Sequence, residues 1–291
     1  MSDLSSPPVA KTHVRLRLEA VYQSLTPTEQ RVCNYVLNNT ERAIHLTVSE
    51  LARESGVSDA SVTRLCQSIG YRGYQEFRVL LARDAAKAAL PTIGELKVTD
   101  AAEDIRDKLI AGSTQSLSDT RNMVNVESLC ASAEKIASAR RVDLYGIGGS
   151  AAVIADIHHK LLKLGIPVIA LTDVDLMSIS SGTLSSSDLA IGISHTGRSE
   201  VIVAAVERAR TGGAATIALT HDPLSPLAQK SDIVLNYAAR QTTFSSDSMS
   251  GRLAQLVIVD ILYTIIAYSQ FERTAPLIDQ ANALANQRRI S

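Results

Sequence analysis

Val142-Asp143-Leu144-Tyr145-Gly146-Ile147-Gly148-Gly149-Ser150-Ala151 and Asp188-Leu189-Ala190-Ile191-Gly192-Ile193-Ser194-His195-Thr196-Gly197-Arg198-Ser199-Glu200 share one pattern. Each is an apolar strand-like run, then a loop of small residues, then the start of a helix-like run. A helix start carries unpaired backbone N–H groups and a partial positive charge, so it attracts anions. Serine and threonine hydroxyls add donors without bulk. Two such loops side by side would hold a phosphate and grip the molecule attached to it, which points to a phosphorylated small molecule as ligand.

The strand–loop–helix texture extends to both sides. Apolar runs at 142–147, 167–171, 188–193, 214–219 and 232–236 alternate with helical segments, the pattern of an α/β domain whose parallel sheet is covered by helices on both faces. Upstream, helical periodicity covers Ala101 to about Val124, and a further helix follows Asn125, a plausible cap, to about Ala139. Pro91, Gly94 and Lys97-Val98-Thr99-Asp100 break the periodicity, so a linker is expected at 89–99.

Residues 13 to 90 read as all-helical. Val14, Leu16, Leu18, Val21, Tyr22 and Leu25 give a first amphipathic helix. Leu25-Thr26-Pro27-Thr28-Glu29 is a stop and restart, with a Thr cap and Pro at the first helical position. From Thr47 to Gly70 the spacing is that of a helix-turn-helix. Leu51 and Ala52 point inward, Gly56 closes the first helix and Val57 plugs the corner. Ser58 then caps a second helix with Val62, Leu65 and Ile69 inward. Ser58, Ser61, Thr63, Arg64 and Gln67 face outward, and such side chains can contact base edges or phosphates. An ordinary αα-hairpin would show the same spacing.

Composition bounds the remaining possibilities. The chain has 291 residues, 45% hydrophobic and 20% charged, with a net charge of −1. That is globular composition, long enough for two domains, and any nucleic-acid contact must come from a local patch. Cys33, Cys66 and Cys130 are too scattered for a disulfide framework or a metal site. The N-terminal residues lack the pattern of a signal peptide and read as a disordered tail, so a cytoplasmic protein is expected. Leu253 to Tyr268 is the most apolar run, but it is short for a membrane span and contains Gln255 and Asp260, so a buried helix is expected.

Gly146-x-Gly148-x-x-Ala151 also fits a dinucleotide fingerprint, with Asp173 where a ribose-binding acid would stand. Ser150 and the second loop have no place in that pattern and favour a compact phosphosugar. With these motifs in view, the second half resembles a sugar isomerase (SIS) domain, and the whole chain resembles the RpiR-type family of bacterial transcriptional regulators. The resemblance rests on Leu25–Gln30, the helix-turn-helix ending Gly70-Tyr71-x-Gly73-Tyr74-x-Glu76-Phe77, the loop Gly146–Ser150, Ser194–Ser199 and Met249–Leu256. It implies a DNA-binding regulator of sugar metabolism that binds a phosphorylated sugar or sugar acid as effector and forms a homodimer or homotetramer largely through its SIS domains. Carried over position by position, the phosphate-binding residues are Ser150, Ser194, Thr196 and Ser199, with backbone from Gly149 and Gly197. His195, inside the loop, is a further candidate contact.

SIS domains also occur in enzymes, and the alternative is a phosphosugar isomerase or lyase with an appended helical domain. A third reading is a SIS regulator that acts on another protein. Isomerisation needs a base. His158, His159, His195, Glu200 and His221 are the candidates, and none forms a convincing acid/base pair. Arg198 either pairs with phosphate or points to solvent. Arg252 and Gln255 either reach a ligand or partner subunit, or cap and solvate their helix. The expected organisation is therefore residues 1–88 for DNA, 89–99 as linker, and 100–291 for sensing and oligomerisation, with no cofactor, no metal, no membrane and no catalytic residue.

Overall fold

The computed structural model describes residues 14–87, 96–239 and 249–287. The chain divides into two compact units, Met1–Val124 and Asn125–Ser291. The N-terminal tail and most of the expected linker lie outside the described residues.

In the first unit, α1 (Val14–Val21) tightens into a 3₁₀ turn at Tyr22–Ser24 rather than continuing to Leu25. Then α2 (Pro27–Asn38) starts on the expected stop-and-restart: the Thr26 hydroxyl accepts from the Glu29 N–H, and the Glu29 carboxylate accepts from the Thr26 N–H at 2.9 Å. A short α3 (Thr40–Ala43) leads to α4 (Val48–Ser55), which has the same reciprocal cap between Thr47 and Glu50. Gly56 ends α4 at φ +65°, and α5 (Asp59–Ser68) begins on Ser58. Val57 is only half-buried and does not plug the corner fully. α6 (Tyr74–Lys87) and α7 (Ala102–Met123) complete the unit. Leu18, Val32, Leu51, Val62, Leu65, Phe77 and Leu81 form its core, each contributing roughly 1.5–3 kcal/mol by burial. Burial pushes the Cys33 and Cys66 thiols up to about 12, which leaves them unreactive.

The second unit opens with α8 (Val126–Ser138), capped by Asn125. Then β1 (Val142–Tyr145), α9 (Ala151–Lys163), β2 (Val168–Leu171), α10 (Val174–Ser181), β3 (Leu189–Ile193) and α11 (Glu200–Thr211) alternate. They are followed by β4 (Ala215–Thr220), α12 (Pro226–Gln229), β5 (Ile233–Asn236), α13 (Met249–Ser269) and α14 (Phe271–Asn286). The five strands are all parallel, in the order β2-β1-β3-β4-β5.

Alternate residues of the sheet serve the two faces. Tyr145, Ala190 and Ala218 join Met177, Ile202 and Val206 under α10 and α11. Ile191, Ile217 and Leu219 face Ile157, Val259 and Leu262 on α9 and α13. By length and composition Gly251–Ser269 could cross a membrane. Here α13 packs on α8, α9 and α14, and Lys160 reaches its Asp260 at 2.8 Å. Asp143 is fully buried within β1, where Arg141 pairs with it at 3.0 Å and Tyr145 donates to it.

Candidate functional site

In the first unit, α5 presents the outward residues. Ser58 accepts from the Ser61 N–H as N-cap, and the two hydroxyls lie 3.0 Å apart. Arg64 and Gln67 are exposed one turn apart, while Thr63 and Ser61 are half-buried. Beneath the C-terminal end of α5 sits Arg17, a residue the sequence pattern marks only as one position of a helix. Its guanidinium donates to the Ile69 carbonyl at 2.8 Å and lies 5.1 Å from the centre of the Tyr71 ring. Burial lowers the Arg17 pKa, and the same burial raises Tyr71 to about 12. Tyr71 in turn meets Phe77 edge to face, so the Gly70–Phe77 motif is an aromatic wedge behind the helix-turn-helix.

In the second unit, β1 and β3 are hydrogen-bonded neighbours, with Tyr145 opposite Gly192. The strand order turns outward from β1 on both sides at this pair. Ligands of open α/β sheets sit beyond the carboxyl ends at such a switch point. The loops of Gly146–Ser150 and Ser194–Ser199 leave the sheet side by side there.

Their helix starts differ from the others nearby. Asn125, Asp173 and Ser225 cap α8, α10 and α12 with their side chains. Ser150 and Ser199 stand at the same position before α9 and α11, and neither side chain caps its helix. Asp173, the acid of the dinucleotide reading, is the cap of α10: its carboxylate accepts from the Leu176 N–H at 2.9 Å.

Within the second loop, Ser194 is buried, His195 and Ser199 are half-buried, and Thr196 and Arg198 are exposed. The Thr196 hydroxyl accepts from the Arg198 N–H. Gly197 takes φ +63°, and its N–H donates to the Ser194 carbonyl at 3.1 Å, so that N–H closes the turn. Arg198 pairs with buried Asp222 at 3.6 Å.

The matches to known proteins follow both units. A family model described as helix-turn-helix domain, rpiR family, matches residues 12–88, and a SIS domain model matches residues 135–265. An HTH-type transcriptional regulator of Caldanaerobacter subterraneus subsp. tengcongensis is 31% identical over 280 residues, covering 96% of this chain and 99% of that protein. The chain belongs to the rpiR family of helix-turn-helix transcriptional regulators. The HTH-type transcriptional regulator RpiR of Escherichia coli K12 is 26% identical over 91% of this chain and 89% of its own. Among solved structures, the sugar isomerase domain of an RpiR transcription factor from Sphaerobacter thermophilus is 29% identical, with a TM-score of 0.57 over 62% of this chain and 98% of that one. The Vibrio vulnificus NanR protein complexed with ManNAc-6P shares the fold at 24% identity, with a TM-score of 0.63 over 96% of this chain and 100% of that one.

Around the rpiR-family loops the fold adds residues that spacing does not reveal. Tyr237, just past β5, is fully buried, and its hydroxyl lies 2.9 Å from His195 Nδ1 and accepts from Gln255 Nε2. Gln255 is thus a buried partner of Tyr237, neither a surface residue nor a helix cap. His221, a base candidate by sequence, bonds the Tyr237 carbonyl through Nδ1 at 2.9 Å. His158 and His159 lie on α9, half-buried and exposed. Residues 240–248, between β5 and α13, lie outside the described residues.

Proposed function

We propose that this rpiR-family regulator binds a phosphorylated sugar or sugar acid in its SIS domain and that the ligand changes its affinity for an operator. The observation that carries this is the pair Ser150 and Ser199, both at helix starts beyond adjacent strand ends, neither capping its helix. The two helix starts and the hydroxyls of Ser150 and Ser199 suit a dianion. On this reading the phosphate contacts are the hydroxyls of Ser150, Ser194, Thr196 and Ser199, with Gly149 contributing backbone. His195 stands beside the anion, and Gly197 shapes the loop. The complex of NanR with ManNAc-6P supports a phosphosugar as the ligand class.

Ser58, Ser61, Thr63, Arg64 and Gln67 meet the major groove and its phosphates. One short helix offers little contact area, so the protein acts as a homodimer or homotetramer on paired half-sites, in the cytoplasm and without a membrane. On this reading it is not an enzyme, in line with the transcriptional regulators it resembles. The functional division is 1–88 for DNA, 89–99 as linker and 100–291 for effector binding and assembly. Because effector and operator affinities are linked, the effector must bind the DNA-competent and incompetent arrangements unequally.

A thermal-shift screen against aldose and ketose phosphates, followed by a gel shift on the region upstream of its own gene, tests the reading. A ligand that binds only the folded state raises the melting temperature. No shift with any phosphosugar, or catalytic interconversion of one, overturns it.

A further inference from the structure

Ser58, Asp59 and Ala60 are exposed in succession, so the first turn of α5 stands clear of its unit. Asp59 is the first residue of that helix. The cap is filled without it, because the Ser58 hydroxyl accepts from the Ser61 N–H at 3.3 Å. The Asp59 carboxylate instead accepts from the hydroxyl of exposed Ser49, in the first turn of α4, at 2.5 Å. That bond spans the turn of the helix-turn-helix and ties the start of one helix to the start of the other.

A carboxylate on a surface that meets DNA is unfavourable on every sequence by its charge alone, since the duplex carries one negative charge per about 1.7 Å of axis. It turns favourable only against a base edge that donates. A carboxylate donates nothing and accepts along several lone-pair directions, so it can hold the Ser49 hydroxyl and a second donor together. In the major groove cytosine presents its N4 donor, adenine sets its N6 donor beside the N7 acceptor, and guanine and thymine present acceptors. Cytosine is therefore the base that a pure acceptor selects. In helix-turn-helix docking the N-terminal residues of the second helix are the ones that reach base edges. A bond between two exposed side chains adds little to stability. What the Ser49 bond supplies is a fixed direction for the carboxylate.

We propose that Asp59 is a specificity-determining residue of the DNA interface, accepting from the N4 amino group of a cytosine in each half-site, and that Ser49 is the positioning residue that aims it. This rests on the reading that α5 enters the major groove. It adds a residue that selects by repelling the wrong bases as well as by bonding the right one.

The test selects sites for the full chain from a duplex library randomised over about 20 base pairs, two helical turns. Wild type, Asp59→Asn, Ser49→Ala and Ser49→Thr are then titrated on the selected duplex, on copies with each C·G pair exchanged in turn, and on random sequence. For wild type, exchange of one C·G pair per half-site should cost about tenfold or more. Asp59→Asn should move the preference there to adenine, which an amide bonds through N6 and N7, and should bind random sequence about two- to fivefold more tightly, because a like charge is gone. Ser49→Ala should reduce the cytosine preference about threefold. Ser49→Thr, which keeps the hydroxyl, should restore it. The Ser49 pair leaves α5 itself unaltered and carries the test if Asp59→Asn does not fold.

If Asp59→Asn changes affinity by the same factor on every duplex, the carboxylate acts by charge alone and the inference falls while operator binding stands. A cytosine preference equal to wild type in Ser49→Ala overturns the positioning role. Selected sites that share no C·G pair overturn the inference too. A wild-type protein that selects no sequence from the library overturns the proposed operator binding with it.

Discussion

A Cβ at position 197 would stand 2.1 Å from the hydroxyl oxygen of Ser225 and 2.4 Å from its Cβ, so the loop after β3 rests directly on the turn before α12. Ser225 is fully buried and is itself the cap of α12. The Gly197 carbonyl accepts from the Leu227 N–H at 3.0 Å, which closes the contact from the other side. The shape of the candidate phosphate loop therefore depends on a glycine for two separate reasons, its left-handed φ and the absence of a side chain.

Gly197→Ala should destabilise the second unit by about 2–5 kcal/mol, roughly 1–2 from the left-handed backbone and 1–3 from overlap. Denaturant unfolding measures it. Effector affinity should fall as well, because the loop must move off Ser225. Wild-type stability in this variant would mean that the loop sits elsewhere in solution.

Ser150→Ala and Ser194→Ala should each weaken effector binding by about ten- to a hundredfold, since hydrogen bonds to charged groups contribute roughly 1.5–3 kcal/mol. Operator binding without effector should persist. The double variant should occupy its operator and ignore the ligand. A double variant that still binds and responds like wild type moves the phosphate site elsewhere.

Arg64→Ala should cost about 1–3 kcal/mol of operator affinity, and relax the preference at one base pair, if Arg64 forks onto a guanine. If it contacts phosphate, the loss should be similar on all sequences and the salt dependence shallower. Operator and random-sequence titrations at two salt concentrations separate these outcomes. Unchanged affinity removes Arg64 from the interface.

Arg17→Met keeps the aliphatic stem and removes the guanidinium from under Ile69 and Tyr71. The bond to a carbonyl is worth roughly 1.5–3 kcal/mol and the ring contact about 0.5–2. Unfolding of the first unit should shift by about 2–5 kcal/mol, with operator affinity reduced because the end of α5 loses its anchor. Equal stability of Arg17→Met and wild type would contradict this.

Asp188 sets an acid limb in the stability of the second unit. Burial pushes its carboxyl up, but a 2.8 Å bond from Arg140 and bonds from the Ser185 N–H and hydroxyl outweigh it, leaving the pKa below the usual 3.8. The native carboxylate holds a proton less tightly than the unfolded one. Its stabilisation is therefore complete above the unfolded value and is lost as pH falls from about 4 toward the native value. Asp188→Asn should lower stability at pH 7 and flatten the loss below pH 4, read by urea unfolding across that range. An unchanged acid limb would assign it to other carboxylates.

Much of the fold was legible because the deciding signals are local. Thr26-Pro27-x-Glu29, Thr47-x-x-Glu50 and Ser58 each cap the helix that the spacing predicts. Five apolar runs become five parallel strands, four of them shorter by one or two residues and β4 shifted by one. Capping and strand burial act over a few residues, so a single sequence displays them. The glycine- and serine-rich loops, each between a strand and a helix start, were legible for the same reason.

Tertiary structure decided which distant residues share a bond. Nothing local to Arg17 says that it lies under Ile69, 52 positions on. Asp173 has the right place in sequence for a ribose contact and instead caps α10. Gln255 has the polarity of a surface residue, and only the meeting of α13 with the end of β5 makes it the buried partner of Tyr237. By itself the sequence determined the helix-turn-helix, the alternating α/β half and the two loops, because periodicity and helix-start chemistry are carried by neighbouring residues. The strand order that sets those loops side by side, and the His195–Tyr237–Gln255 chain beside them, come from long-range packing, where many polar residues of suitable type compete and only their position in space selects one.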